Sequence, residues 1–457
     1  MGDFRIKLVE IPFDIDLLDL HASNPARYPY FLESAAQAGQ LGRFDILFAF
    51  PEEVLRLDAR FDLHGSRGCA GSGFLNAFDG WWHDLRGRQA QTSTLPFTGG
   101  WFLILGYELA QEVEPRLNLR VHPELPVALA IRIPAAVIRD RRRGTAWIVA
   151  EHGHAACVET IRQDIETLQR GHWNDAPLLV AGSLAEESSQ QFLDAVDAAK
   201  EYIAVGEIYQ ANLSREWIAR LRQGASPAGI YRRLRQTNPA PFAGLAVFDD
   251  VGIISSSPER LLRSTGTRVE TRPIAGTRPR EAGPEADAPG REELLGHPKE
   301  RAEHIMLLDL ERNDLGRVCK PGTVQVDEFM VVETYSHVHH IVSNVAGELL
   351  DSTTPGKIIR AVFPGGSITG CPKVRCMEII SELENRPRGF YTGTMGYINR
   401  DGSADLSILI RTMTVIGRDL SFATGSGIVA DSDPVQELDE THAKAKGLLL
   451  ALEQNGV

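Results

Sequence analysis

The chain has 457 residues, 43% of them hydrophobic and 24% charged, a soluble globular composition with room for two or three domains or for one large α/β or α+β unit. Its 48 Lys and Arg against 61 Asp and Glu leave a formal net charge of −13, which argues against a nucleic-acid partner, since phosphate neutralisation needs clustered Lys and Arg; a local basic pocket for a small anion stays open. The N-terminal MGDFRIKLVEIPFDID has no uninterrupted apolar core of a signal peptide, and no stretch approaches the ~20 apolar residues of a bilayer span, so a cytoplasmic protein without a membrane is expected.

In chain order, the first part to about residue 170 alternates short apolar runs with turn signals. FDILFAF before Pro51, GGWFLILGYELA after PFTGG, and AVIRDRRRGTAWIVA with a hairpin turn at RRRGT all read as strands. The small, polar AGSLAEESSQQ at 181–191 is the expected boundary between a variable N-terminal lobe, residues 1–180, and a catalytic region, residues 190–457. Helical spacing of apolar residues covers 190–205, with Gly206 as its stop, and helices are expected at 226–237, 298–313, 372–384 and 434–453. Between them, AGLAVFDDVGIISSSPERLLRSTGTRVETRP and GYINRDGSADLSILIRTMTVIGRDLSFATGSGIVA read as antiparallel strands. Turns fall at Asp249–Asp250, Gly266, Arg400–Gly402 and Gly417–Asp419. Hairpins mixed with helices, without regular βαβ alternation, make the class α+β with large antiparallel sheets.

Cys69, Cys157, Cys319, Cys371 and Cys376 are odd in number, irregularly spaced and without a CxxC pair, so free thiols are expected rather than a disulfide framework or a zinc site. GGSITGCPK (365–373) has the wrong spacing for a phosphate loop, and GSGIVA (425–430) comes too late in the chain for a dinucleotide-binding unit. Both are read as Gly-rich segments entering regular structure, whose backbone N–H groups suit a carboxylate. Glu300 and Glu303 lie three apart on one predicted helix, and Glu437 and Glu440 repeat that spacing on the last. Taken alone, such pairs are ordinarily solvated helix faces; a cation between them is the functional alternative, and oxygen ligands suit Mg²⁺. His337, His339 and His340 sit together in ETYSHVHHIVS, where packed neutral histidines are the default and a hydrogen-bond donor or proton shuttle the alternative. Glu259 follows a proline between strands, and Arg411 lies among apolar residues in the strand-like ILIRTM, where a buried charge needs an anionic partner.

These segments, in this order, resemble the chorismate-utilising family of anthranilate, aminodeoxychorismate, isochorismate and salicylate synthases. The resemblance is carried by GEIYQANLSR (206–215), SPERLL (257–262), RPIAGTRPR (272–280), HPKERAEHIMLLDLERNDLGRV (297–318), YSHVHHIVS (335–343), FPGGSITGCPKVRCMEII (363–380), GFYTGTMGY (389–397), ILIRTMTV (408–415), ATGSGIVADSD (423–433) and ELDETHAKA (437–445). FLES (31–34), GRFDILFAFP (42–51) and FTGGWFLILGYELA (97–110) match its more variable lobe. The resemblance implies a sandwich of large antiparallel sheets with helices outside. It makes Glu300, Glu303, Glu437 and Glu440 the acidic positions around a Mg²⁺ that binds the ring carboxylate of chorismate. It also makes Tyr391 and Arg411 the grip on the enolpyruvyl carboxylate, and Gly425 and Gly427, with the loop at Ser367, close backbone contacts. By the same resemblance Lys444 is a lysine near the carboxylates, His340 the active-site histidine, and Glu259 the acid that protonates the departing C4 hydroxyl.

Within the family, GEIYQANLS and NPAPFAG (238–244) look like the aminodeoxychorismate branch. Ala275 in RPIAGT stands where typical aminodeoxychorismate synthases carry a nucleophilic Lys, and Ala is the usual anthranilate-synthase state. The reading favours an aminodeoxychorismate synthase component I, with anthranilate synthase component I as the alternative and an inactive binding subunit as a third. No amidotransferase module is recognisable in the sequence, so a separate glutamine amidotransferase subunit is the expected partner. FLES and GRFD overlap the region where anthranilate synthases bind feedback tryptophan, a match too loose to imply regulation.

Overall fold

The computed structural model describes residues 2–36, 42–65, 73–89, 94–168, 179–279, 296, 298–334 and 338–453. Two large antiparallel sheets dominate it. The first has twelve strands; along its main path run Ala185–Glu186, Gln210–Arg220, Asp419–Ile428, Thr412–Ile416, Val251–Ser257, Phe242–Phe248, Tyr30–Glu33, Phe44–Ala49, Ala135–Asp140, Thr145–Glu151 and Ile6–Ile11. Gly370–Cys371 adds two residues against the start of Gln210–Arg220. The second has eleven, running Ile274–Pro279, Val338–Glu348, Arg268–Arg272, Arg260–Thr265, Ala404–Ile408, Thr394–Asn399, Gly100–Leu105, Ala128–Ile133, Val54–Leu57 and Leu63–His64, with Gln325–Thr334 also paired to Val338–Glu348.

The sheets pack face to face, and the strand alternation shows how. On Phe44–Ala49, Ile46 and Phe48 enter the core between the sheets, while Leu47 and Ala49 enter the core on the opposite face. On Gly100–Leu105, Phe102 and Ile104 point into the shared core and Trp101, Leu103 and Leu105 away from it. Strands buried on both faces read as continuous apolar runs, as FDILFA and GWFLIL do. Tyr30 stacks on Phe102 across the gap with ring centroids 4.5 Å apart, and Phe48 meets Phe102 edge-on at 5.0 Å. Helices Leu17–Ser23, Pro227–Thr237 and Pro434–Leu452 cover the outer face of the first sheet, and Phe74–Leu85, Pro298–Gly316 and Pro355–Val362 that of the second. The α+β sandwich with outer helices is therefore what the chain forms.

The helices begin and end close to where the sequence puts them, at Ser189–Ala204, Pro227–Thr237, Pro298–Gly316, Lys373–Glu384 and Pro434–Leu452. Local chemistry sets these bounds. Ser226 accepts from Gly229 N–H and Asp433 from Val435 and Gln436 N–H, and in both helices proline takes the first position, where no donor is needed. The expected boundary near 181–191 does not separate two sheets. Tyr30–Glu33 pairs with Phe242–Phe248, and Gly100–Leu105 with Thr394–Asn399, so strands from before and after it are interleaved in both. Cys157, Cys319, Cys371 and Cys376 are free thiols; Cys69 and His337 lie outside the described residues. Among the described residues no helix is long and apolar enough to cross a membrane.

Candidate active site

The C-terminal helix turns Ala445, Leu448, Ala451 and Leu452 into the core. Residues three and four apart share a helix face, and Glu437, Glu440 and Lys444 line a cavity of about 210 Å³. Glu303 and Leu307, four apart on Pro298–Gly316, form another wall. Gln210, Asn212, Thr424, Gly425 and Gly427 come from neighbouring strands of the first sheet, and Ile274, Gly276 and His340 from the second. Connecting segments bring Glu259, Ser367, Tyr391 and Arg411. A larger and more apolar groove of about 840 Å³ crosses Pro298–Gly316 at Ile305 and Asp309, and none of the expected site residues lines it.

Eleven residues expected at the site thus meet in one cavity: Glu259, Glu303, His340, Ser367, Tyr391, Arg411, Gly425, Gly427, Glu437, Glu440 and Lys444. Glu300 lies on the Pro298–Gly316 helix, but its side chain is outside the described residues. The same holds for the side chain of Ala275, whose backbone pairs with Ile341 between the two cavity-lining residues Ile274 and Gly276.

Glu259 is 4% exposed, and burial pushes its carboxyl up to about 7. Ser367 Oγ donates to Glu259 Oε1 at 2.6 Å and Ile274 N–H at 3.4 Å; both pull the proton affinity back down, while the nearby Glu311 carboxylate raises it. Burial pushes Glu311 up as well, and its Oε1 lies 3.4 Å from Gly366 N–H. His340 is driven down to about 3, first by burial and then by the Arg411 charge, so the ring is neutral; it bonds to the Gly276 backbone. Burial lowers the Arg411 pKa and Glu440 opposes that, leaving a cation in a poorly solvated place. Lys444 Nζ pairs with Glu440 Oε1 at 2.7 Å and donates to the Gly425 carbonyl at 2.8 Å.

One local expectation differs from the structure. Arg411 is not within a strand: Ala404–Ile408 ends before it and Thr412–Ile416 begins after it. It occupies a left-handed bend with φ 52°, and Thr392 on the adjoining turn has φ 62°. Left-handed backbone is unfavourable for both, most of all for a β-branched residue, and such strain concentrates at functional sites. Gly425 and Gly427 lie, as the strand run at 396–430 leads one to expect, in Asp419–Ile428, paired with Ser214 and Asn212. A Cβ on Gly425 would stand 2.8 Å from Asn212 Oδ1 and 2.9 Å from Tyr391 Oη, and one on Gly427 would collide with Gln210 Nε2. The glycines admit those polar side chains to the cavity wall.

Gln210 and Asn212, within GEIYQANLS, join the expected residues at the cavity wall, where nothing in their spacing alone announces a site. Two residues apart on a strand, they share a face. Gln210 Oε1 and Asn212 Oδ1 are buried without a hydrogen-bond partner, two acceptors at the cavity wall. Among the described residues no three His, Cys, Asp or Glu side chains form a ready metal cage. The cavity carboxylates Glu303, Glu437 and Glu440 are nonetheless hard oxygen donors, of the kind that holds Mg²⁺ through one or two carboxylates, with water and substrate oxygens completing the shell.

The sequence matches the chorismate binding enzyme family over residues 29–450. It is 41% identical over 388 residues to an anthranilate synthase component I-like protein of Synechocystis, covering 83% of this chain and 78% of the relative. It is 40% identical over 393 residues to aminodeoxychorismate synthase component 1 of Bacillus subtilis, covering 83% and 82%. The crystal structure of anthranilate synthase component I from Streptococcus pneumoniae superposes with a TM-score of 0.78 at 30% identity, over 89% of this chain and 92% of that one. A match spanning both sheets and every wall of the cavity makes this chain a chorismate-utilising enzyme, a member of the chorismate binding enzyme family.

Proposed function

We propose that the chain is the component I of an aminodeoxychorismate synthase. It replaces the C4 hydroxyl of chorismate by an amino group, using ammonia from a separate glutamine amidotransferase subunit. The sum is chorismate plus ammonia giving 4-amino-4-deoxychorismate plus water, on the way to 4-aminobenzoate. The observation that carries the reading is the Glu259 carboxyl, buried at the cavity wall and pushed up to about 7. Hydroxide is a poor leaving group, and its departure as water needs a proton from an acid still protonated near neutral pH. Arg411 and Lys444 line the same cavity and suit a dicarboxylate. The unpartnered Gln210 and Asn212 oxygens are acceptors at the cavity wall that suit the N–H groups of ammonia.

Mg²⁺ belongs to this proposal, held by Glu303, Glu437 and Glu440 together with Glu300. When bound it supplies Lewis-acid polarisation of the ring carboxylate. The chain's own groups bind the second carboxylate through Arg411 and Tyr391, keep His340 neutral, and deliver the proton from Glu259. The 4-amino product rests on the segments at 206–214 and 238–244, and two of these residues, Gln210 and Asn212, line the cavity. With alanine at 275, no covalent attachment to chorismate at that position is available, and C4 amination is direct or follows attack of another nucleophile at C2. That alanine is the specific observation favouring the second reading, anthranilate synthase component I.

Product identification decides between them. The purified chain is incubated with chorismate, Mg²⁺ and ammonium, and the products are separated with and without an aminodeoxychorismate lyase. 4-Aminobenzoate appearing only with the lyase is expected. Fluorescent anthranilate without the lyase establishes the second reading, and no loss of chorismate from a folded sample establishes the inactive subunit.

A further inference from the structure

Arg388 does not line the cavity, yet its guanidinium reaches three of the segments that do. It is 6% exposed, and each of its five N–H groups has an acceptor. Nε and Nη2 bond the two oxygens of Glu384 at 3.0 and 2.6 Å. The second Nη2 hydrogen goes to the carbonyl of Asn212 at 2.7 Å. Nη1 bonds the carbonyl of Ile368 at 3.0 Å and Thr392 Oγ1 at 3.3 Å. The guanidinium also lies over the rings of Tyr107 and Tyr391, 4.9 and 5.5 Å from their centroids. Burial works against its charge, and the Glu384 carboxylate overrides that and holds the group protonated.

Each acceptor other than Glu384 sits at or beside a working residue. Asn212 presents its own amide to the cavity, Ile368 follows Ser367, and Thr392 follows Tyr391 in strained left-handed backbone. Ser367 in turn touches the acid Glu259. These segments come from a strand of the first sheet, the loop before Gly370, and the turn before the strand Thr394–Asn399. Glu384 extends the tie by accepting from both Ser214 N–H, at 2.9 Å, and Ser214 Oγ, at 2.8 Å. A planar fork with five fixed donors satisfies this set; the ammonium of a lysine, with three donors at one point, does not.

We infer that Arg388 is the positioning residue of the cavity, a buried clamp that fixes the Asn212, Ser367 and Tyr391 walls relative to one another. The inference rests on the proposed reaction only for its kinetic consequence; the clamp itself is read by exchange. Misplacing groups by about 1 Å costs on the order of 100-fold in rate, so Arg388→Lys lowers kcat for chorismate with ammonium by ~30-fold or more per folded molecule, with KM within about threefold. In hydrogen–deuterium exchange of the same full chain, peptides spanning 210–214, 366–369 and 390–393 become faster together. Where Arg388→Lys does not fold, Thr392→Val removes one acceptor and leaves the Arg388–Glu384 pair; it should speed exchange at 366–369 as well as at its own turn and lower kcat several-fold. Faster exchange confined to 384–393, or unchanged kcat in a folded variant of a parent that turns over chorismate, overturns the clamp. A parent that consumes no chorismate overturns the proposed function alone, and the exchange result still decides the clamp.

Discussion

Ser367 Oγ lies 2.6 Å from Glu259 Oε1 inside the cavity, so a hydroxyl on one loop lowers the proton affinity of a carboxyl on another. The bond favours the carboxylate, burial favours the acid, and burial prevails at about 7. The working form is the protonated one, so activity falls as pH rises through about 7. Ser367→Ala removes a stabiliser of the charged form, and the alkaline limb of the kcat profile moves to higher pH. A limb that stays in place or moves down would reject this assignment.

Glu259→Gln keeps the volume and deletes the proton donor. Turnover should drop by roughly 100- to 10,000-fold, the usual contribution of a general acid. Chorismate binding, followed by titration, should change by less than about threefold. Equal losses of binding and turnover would mean that Glu259 holds substrate rather than protonating it.

Arg411→Met removes the half-buried cation at the left-handed bend. A lost charge-assisted hydrogen bond costs about 1.5–3 kcal/mol, so KM for chorismate should rise about 10- to 150-fold with a smaller effect on kcat. Steady-state kinetics in ammonium measure both, and an unchanged KM would place the substrate carboxylate elsewhere.

Glu303→Ala tests the magnesium proposal. The Mg²⁺ concentration giving half-maximal activity should rise at least ~10-fold, because few protein carboxylates serve such a site and each one counts. Isothermal titration of Mg²⁺ with an unreactive dicarboxylate present provides a readout without turnover. An unchanged metal titration would exclude Glu303 as a ligand.

Phe102→Ala tests the sandwich. Phe102 is fully buried between the sheets against Tyr30 and Phe48. Such a truncation costs about 3–5 kcal/mol, read as a lower denaturation midpoint with the reaction chemistry of the folded fraction intact.

The helices were legible because 3.6-residue periodicity, Asp433 and Ser226 caps and N1 prolines are local signals. The strand runs FDILFA and GWFLIL were legible for the same reason. Their partners were not, because pairing Tyr30–Glu33 with Phe242–Phe248 crosses some two hundred residues with nothing local to announce it. The carboxylates of the cavity were legible only through ordered resemblance, since spacing alone equally describes a wet helix face. Arg388 escaped notice because RPRGF looks like an exposed turn. Its burial depends on Glu384, one helical turn before it, and on carbonyls from remote segments. Arg411 was seen, but a strand-like sequence hid its left-handed bend.

The interleaving of early and late strands has a practical corollary for handling the enzyme. Gly182 and Ser183 are exposed, and a protease cut there would divide the chain between strands that share both sheets. The two fragments would nevertheless stay clasped through shared hydrogen-bonded ladders, migrate as one particle under native conditions, and separate only in denaturant. Two bands on a denaturing gel would then coexist with a single species in solution.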